Sequence, residues 1–346
     1  MKRKMLASNR FALLFFSFQL TKFIDSSLQL LKTETYPINE IDFDSNKDTL
    51  AFVHIQKTSG TFWIDKIKIN LLALNNKNSW KNVCKYDERR RFYDCLFYSK
   101  IDFGRYSSLY WSLNEIFDCD IHANIGELRR CIQADFRNQG KLNLITILRD
   151  PLERYISEFK HVQRGARWSK SVRHCKEMPV YTKTCFDSHS NCSNVTWEEF
   201  LSCDYNQANN RQVRMLADYF EIGCESLKCW TKDSNCKKEI QRTYDMKILE
   251  NAKKNLRSLS FFGLTEYQAL SQYLFEKTFK KKLKFSNNLS VDSVERRLSK
   301  NLLKTEYKNY QNEIIEKNTL DIALYEYAEK LFFSRVSYFR TLNVDN

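Results

Sequence analysis

LAFVHIQKTSGT, residues 50–61, begins as an unbroken apolar run and ends in a polar turn with one glycine. A short apolar run of this kind, Leu50 to Ile55, reads as a strand buried on both faces, as in parallel sheets. Phe62, Trp63, Ile67 and Leu71 are spaced as one face of a helix that starts near Gly60. Strand, polar turn and helix in that order are the setting of a phosphate-binding loop, in which backbone amides and a helix N-terminus face an anion. Here Lys57 and Thr58 precede the glycine, the reverse of the G-x-x-x-x-G-K-[ST] order. Taken alone, the turn is equally an ordinary βα connection with a solvated lysine.

A second buried strand, LNLITIL at 142–148, runs straight into Arg149-Asp150-Pro151. Asp150 suits a helix cap and Pro151 a first helical turn. Leu152, Tyr155, Ile156 and Phe159 then share one helical face, while Ser157 and His161, four apart, share another. A magnesium-dependent nucleotide hydrolase or kinase needs an acid at the end of its second strand to hold the metal. This strand ends in arginine. Arg149 and Ser157 supply a second phosphate clamp that requires no metal, so the ligand expected is a nucleotide with separate anionic groups. That is the form of 3′-phosphoadenosine 5′-phosphosulfate (PAPS).

The rest of the chain fits an α/β unit with a central parallel sheet flanked by helices. With 346 residues but only 7 Gly and 3 Pro there is little linker, which argues for one compact domain. Residues 75–120 read as polar and irregular, and 169–203 as a cysteine-rich insertion. Helical patterns resume in NNRQVRMLADYF, dominate from about Tyr244 and are clearest in LDIALYEYAEKLFF, Leu320 to Phe333. The formal charge of +14 favours polyanionic partners, whether nucleic acid, anionic membrane or acidic polysaccharide, over neutral ones. A merely solvated basic surface carries the same number.

Eleven cysteines contain no CxxC pair, which argues against a zinc module. Beside them stand three glycosylation acceptors, Asn191, Asn194 and Asn288. Together they point to the secretory pathway. Lys2, Arg3 and Lys4 precede the apolar run FALLFFSFQL, residues 11–20. Basic residues before it would keep the N-terminus cytosolic. Ten residues is the length of a signal-peptide core and short of the roughly 20 that span a bilayer, so a cleaved signal and a short type II anchor both remain open. Residues 1–48 are expected to be tail, anchor and stem, and 49–342 the folded lumenal domain.

HIQKTSGT, ITILRDPLERYISEFKHVQRGARW, YNQANNRQVRMLAD, AKKNLRSLSFFGLTEY and the final amphipathic helix resemble, in order, the heparan-sulfate 6-O-sulfotransferases. The resemblance implies a P-loop-like sulfotransferase fold with disulfide-bearing insertions, in a Golgi type II membrane enzyme. Its activity would be transfer of a sulfuryl group from PAPS, without metal, to the 6-hydroxyl of glucosamine. Heparan sulfate and a membrane, rather than nucleic acid, are the implied partners. By the same resemblance His54, Ile55, Gln56, Lys57, Thr58, Ser59, Gly60, Thr61 and Phe62 form the 5′-phosphosulfate loop, with Lys57 at the transferring group. Arg149 and Ser157 would hold the 3′-phosphate, and Phe285, Ser286, Asn287 and Val291 the adenosine side. His161, Trp168, Arg105 and Trp111 match polysaccharide contacts, and Arg90 and Arg91 stand in the family's basic segment.

The reaction needs a base for a sugar hydroxyl, and histidine titrates in the right range. Of five histidines, His54 is better placed to shape its loop, and His174 and His189 fall in the insertion. His122, in FDCDIHANIGEL, matches the family's catalytic histidine. Two departures stand out: Ser59 occupies a position that is glycine in the family, where it would strain a positive φ, and Arg167 replaces a smaller residue. Transfer at another sugar position and a non-catalytic heparan-binding relative are the alternatives.

Overall fold

A computed structural model describes residues 40–44, 48–64, 66–67, 84–87, 92–95, 123–134, 141–165, 173–175, 178–180, 185, 194–203, 206–223, 238–280, 283 and 307–342. Its centre is a three-stranded parallel sheet in the order β1 (Thr49–Val53), β4 (Leu142–Leu148), β7 (Phe261–Leu264). Phe52 pairs with Ile145, and Ile147 with Gly263. β4 lies between the other two and is buried on both faces from Leu144 onward, as its continuous apolar run requires. β7 is four residues long and contains a glycine, so it carries no periodic signal. Gly263 fits there because a Cβ would stand 2.8 Å from Ile147 Cδ1.

All three strands run the same way, so the segments that follow them emerge at one edge, the usual ligand-binding edge of such sheets. After β1 comes the loop at 54–59 and a helix that begins at residue 60. After β4 comes α2 (Pro151–Gln163), capped by Asp150, which accepts from the amides of Leu152 and Glu153. After β7, Thr265 places its hydroxyl 3.0 Å from the carbonyls of both Thr58 and Leu148. One side chain thus laces the three exits together.

The main core packs α6 (Lys238–Ser258), α7 (Gln268–Thr278) and α9 (Thr319–Thr341) around the sheet. Trp63 sits in it, 5.5 Å from Phe261 and 5.8 Å from Phe275 between ring centroids. Phe43 joins the same core edge-on to Phe279, so chain ahead of β1 is already packed. A second, aromatic cluster gathers Tyr155 and Phe159 of α2 with Trp197 and Phe200 of α3 (Trp197–Ser202) and with Tyr307. α2 puts its apolar face into this second cluster and touches α9 of the main core.

α4 (Arg211–Leu216) and α9 exchange caps. Asp321 of α9 accepts from the amides of Gln212 (3.1 Å) and Val213 (2.8 Å). Asn210 accepts in return from the amides of Leu320 and Asp321. Each helix therefore satisfies the orphan donors that start the other.

The insertions are pinned rather than loose at the points described. Cys185 and Cys203 form a disulfide. Residues 84–95 contain an antiparallel pair, β2 (Cys84–Asp87) with β3 (Phe92–Cys95), within the stretch read from sequence as irregular. A second pair joins β5 (Arg173–Cys175) to β6 (Met178–Val180). Strands of three or four residues are too short for alternation to show. No helix among the described residues is long and apolar enough to cross a membrane, and the run at 11–20 lies outside them.

Candidate active site

The loop after β1 is built without the glycines that usually make such turns. Lys57 and Ser59 both take left-handed backbone, at φ 67° and 66°, where only glycine is unstrained. Thr58 between them is fully buried and its hydroxyl donates to the Ile55 carbonyl at 2.9 Å. The Ser59 carbonyl then accepts from Trp63 at 3.3 Å and starts the helix. Ser59 therefore does occupy the positive-φ slot that its replacement of glycine implies. The loop's own glycine has a different task. A Cβ on Gly60 would lie 2.4 Å from Cδ2 and 2.7 Å from Nε2 of His54, so Gly60 is the bare surface against which that imidazole packs. Gly60→Ala is expected to lower stability by about 1–3 kcal/mol, the usual size of an overpacking penalty. Denaturant unfolding checks this, and an unchanged midpoint would contradict the packing argument.

Two residues of α4 and the neighbouring strand ends fix the loop's position. Arg211, fully buried, donates through Nε to Gln56 Oε1. Arg149, at the end of β4, donates through Nη1 to the Lys57 carbonyl at 3.2 Å, which brings the lysine loop and the arginine together. Arg149 Nη2 lies 3.6 Å from Glu153. Its backbone is held on both sides by one amide: Gln212 accepts from Arg149 N at 2.9 Å and donates to Arg149 O at 2.8 Å. Glu266 receives the Asp150 amide at 2.9 Å and the Tyr325 hydroxyl at 2.6 Å, and burial raises its pKa. Beneath the site, buried Glu158 pairs with Arg154 and lies 3.9 Å from Arg211.

The field at this edge is positive. Burial lowers the Lys57 pKa, with Arg164 and Arg149 lowering it further and Glu158 opposing them. His161, half-buried near the end of α2, is lowered by burial, then by Lys57 and Arg164. Lys57, Arg149 and Arg164 thus crowd positive charge at this edge, and that charge disfavours a proton on His161.

His54 is pushed down from 6.5 to about 4, first by burial and then by Arg211 and Lys57. Above pH 6.5 the ring is neutral in folded and unfolded chains alike. Below it the unfolded chain takes up a proton that the native ring refuses, so stability falls as pH drops towards 4. The ring's share of that loss is on the order of 3 kcal/mol. Unfolding of parent and His54→Gln at pH 7 and pH 4.5 tests the sign: their difference in stability should change with pH, and a constant difference would contradict it.

Of the residues assigned from sequence, Arg149 meets the 54–62 loop at the Lys57 carbonyl, and His161 lies within the reach of the Lys57 charge. Ser157 is half-buried on α2 one turn before His161, and Thr61 and Phe62 are exposed. Asn194 is exposed, as a glycan acceptor must be. His122, Arg90, Arg91, Arg105, Trp111, Trp168, Phe285, Ser286, Asn287, Val291, Asn191 and Asn288 lie outside the described residues. Two residues after His122, Asn124 caps α1 (Ile125–Ala134) by accepting from Gly126 and Glu127, and Glu127 accepts from Asn124 in return. Arg129 ties α1 to α6 through Asn255 at 2.9 Å.

Sequence reasoning missed Arg211, Gln212, Thr265 and Glu266. A signal did exist for the first two: in NQANNRQVR, residues 206–214, polar residues outnumber Ala208 and Val213, yet the whole stretch is buried. No group of three His, Cys, Asp or Glu among the described residues is disposed to hold a metal ion.

The sequence profile of the sulfotransferase family matches residues 42–328. Set beside the parallel sheet and the lysine and arginine loops at its edge, that match makes the chain a sulfotransferase. Heparan-sulfate 6-O-sulfotransferase 1 of Cricetulus griseus is 34% identical over 333 residues, covering 89% of this chain and 74% of its own. The Homo sapiens protein of the same name is 34% identical over 333 residues, with 89% and 72% covered. Heparan-sulfate 6-O-sulfotransferase 2 of Homo sapiens is 35% identical over 321 residues, with 88% and 48% covered. The chain belongs to the heparan-sulfate 6-O-sulfotransferase family.

Proposed function

We propose that this enzyme transfers a sulfuryl group from PAPS to the 6-hydroxyl of glucosamine in heparan sulfate. One observation carries the reading: the Arg149 guanidinium holds the Lys57 carbonyl, so two cationic loops from adjacent strands form a single anion site. The donor set also fits a nucleotide with anionic groups at both ends. Arg149 Nε and Gln56 Nε2 are buried donors with no acceptor among the described residues, one in each loop.

PAPS supplies a sulfuryl group whose bond to the 5′-phosphate oxygen breaks as the sugar oxygen bonds to sulfur, leaving adenosine 3′,5′-bisphosphate. Lys57 faces the oxygen on which charge develops and, held in place beforehand, stabilises it. Arg149 and Ser157 hold the 3′-phosphate. His122 takes the proton of the attacking hydroxyl. A sulfuryl group carries less charge than a phosphoryl group, so these cations serve without a metal.

On the acceptor side, Arg105, Trp111, His161, Trp168 and the 90–91 arginines would meet the polysaccharide, since guanidinium forks match sulfates and carboxylates. The net charge of +14 supports a polyanionic acceptor. Placement in the Golgi lumen, behind the N-terminal apolar segment, is supported by the three sequons and by the Cys185–Cys203 disulfide.

The test is direct. The lumenal domain is incubated with labelled PAPS and N-sulfated heparosan, and the disaccharides are analysed. Label at C6 of glucosamine is the expected result. Label at another position overturns the regiochemistry, and heparin affinity without transfer makes the chain a binder only.

A further inference from the structure

The first two residues of α4 reach both halves of the donor site. Arg211 Nε donates to Gln56, in the loop after β1. Gln212 grips Arg149, after β4, at both its amide and its carbonyl. The two side chains leave a backbone that is itself fixed, since Asp321 accepts from the Gln212 amide. One turn of helix therefore spans two loops that are otherwise joined by the Arg149–Lys57 and Thr265 bonds. The grip on Arg149 is also directional. A planar amide used at both ends by one residue prevents that residue from sliding along β4 or turning about it.

We propose that Gln212, together with Arg211, is a positioning residue that sets the separation between the Lys57 loop and Arg149. It thereby makes the site selective for a nucleotide with anionic groups at both the 5′ and 3′ positions over one with a 5′ group alone. The inference rests on the PAPS reading. A nucleotide with two phosphates holds them at a set distance and gains from both loops only if their spacing matches. Displacements near 1 Å cost such an arrangement heavily. A nucleotide with a 5′-phosphate alone touches one loop and is indifferent to the spacing.

Calorimetric titration with adenosine 3′,5′-bisphosphate and with adenosine 5′-phosphate separates the two effects. Three proteins are compared: the parent, Gln212→Met, which keeps length but loses both amide bonds, and Val213→Ala, which loosens packing in the same turn. The parent should prefer the bisphosphate. Gln212→Met should lose about tenfold or more of that preference while its affinity for the 5′-phosphate stays within about twofold. Val213→Ala should keep the parent's ratio. If Gln212→Met does not fold, Gln212→Asn, one methylene short of Arg149, should show the same loss of preference. A parent-like ratio in the Gln212 variant, or an equal fall in both affinities, overturns the inference and leaves Gln212 a fold residue. A parent with no preference for the bisphosphate overturns the PAPS reading itself, and the inference with it.

Discussion

Lys57→Ala is expected to fold as the parent does and to lose roughly 10²–10⁴-fold in turnover. The loop does not depend on the lysine side chain for its shape. Its geometry comes from the Thr58 hydroxyl, the Arg149 bond to the Lys57 carbonyl and the packing of His54 on Gly60, all of which alanine leaves in place. What alanine removes is the charge, in a setting where burial and two arginines already disfavour it. The same change should therefore leave the melting temperature equal or raise it, the exchange expected where a site stores strain for function. Turnover at saturating PAPS, measured beside thermal unfolding, checks both halves. Turnover near the parent's would remove Lys57 from the transfer step.

His122→Ala is expected to lose turnover on the same scale, roughly 10²–10⁴-fold, because a general base contributes about that much. The substitution falls two residues before Asn124, whose reciprocal cap with Glu127 fixes the start of α1, so the fold should survive it. The pH profile gives the sharper readout. A histidine base must be neutral to accept a proton, so activity of the parent should fall as pH drops below the histidine range, near 6.5. In His122→Ala that acid limb should vanish from the residual rate. An unaltered limb would assign it to another group, and His161, on the same edge, is the nearest candidate.

What could be read from the sequence and what could not divide along a physical line. β1, β4 and the start of α2 were legible because their causes are local: doubly buried strands read as apolar runs, and Asp150-Pro151 carries its own cap chemistry. The strand at Phe261–Leu264 was not, because four residues with a central glycine have no period, and the glycine answers to Ile147, over a hundred residues earlier. In the loop itself, a serine in place of a glycine pointed to strain at Ser59, whereas nothing in the sequence pointed to the equal φ at Lys57. The Arg211–Gln212 bridge was hidden for a third reason. Polar residues are ordinarily solvated, and only the assembled fold shows that these are buried and aimed at backbone.

The exchanged caps of α4 and α9 also bear on when the molecule becomes functional. The residues assigned to the donor in the two loops end at Ser157, yet Gln212 starts from a backbone secured by Asp321. As the chain is synthesised from its N-terminus, sheet strands β1 and β4 can associate long before α9 exists. The bridge between their loops cannot be secured until the last helix has emerged and docked. The Gln212 hold on Arg149 is thus tied to completion of the polypeptide, and an unfinished or C-terminally clipped chain is expected to keep its two cationic loops without that tie.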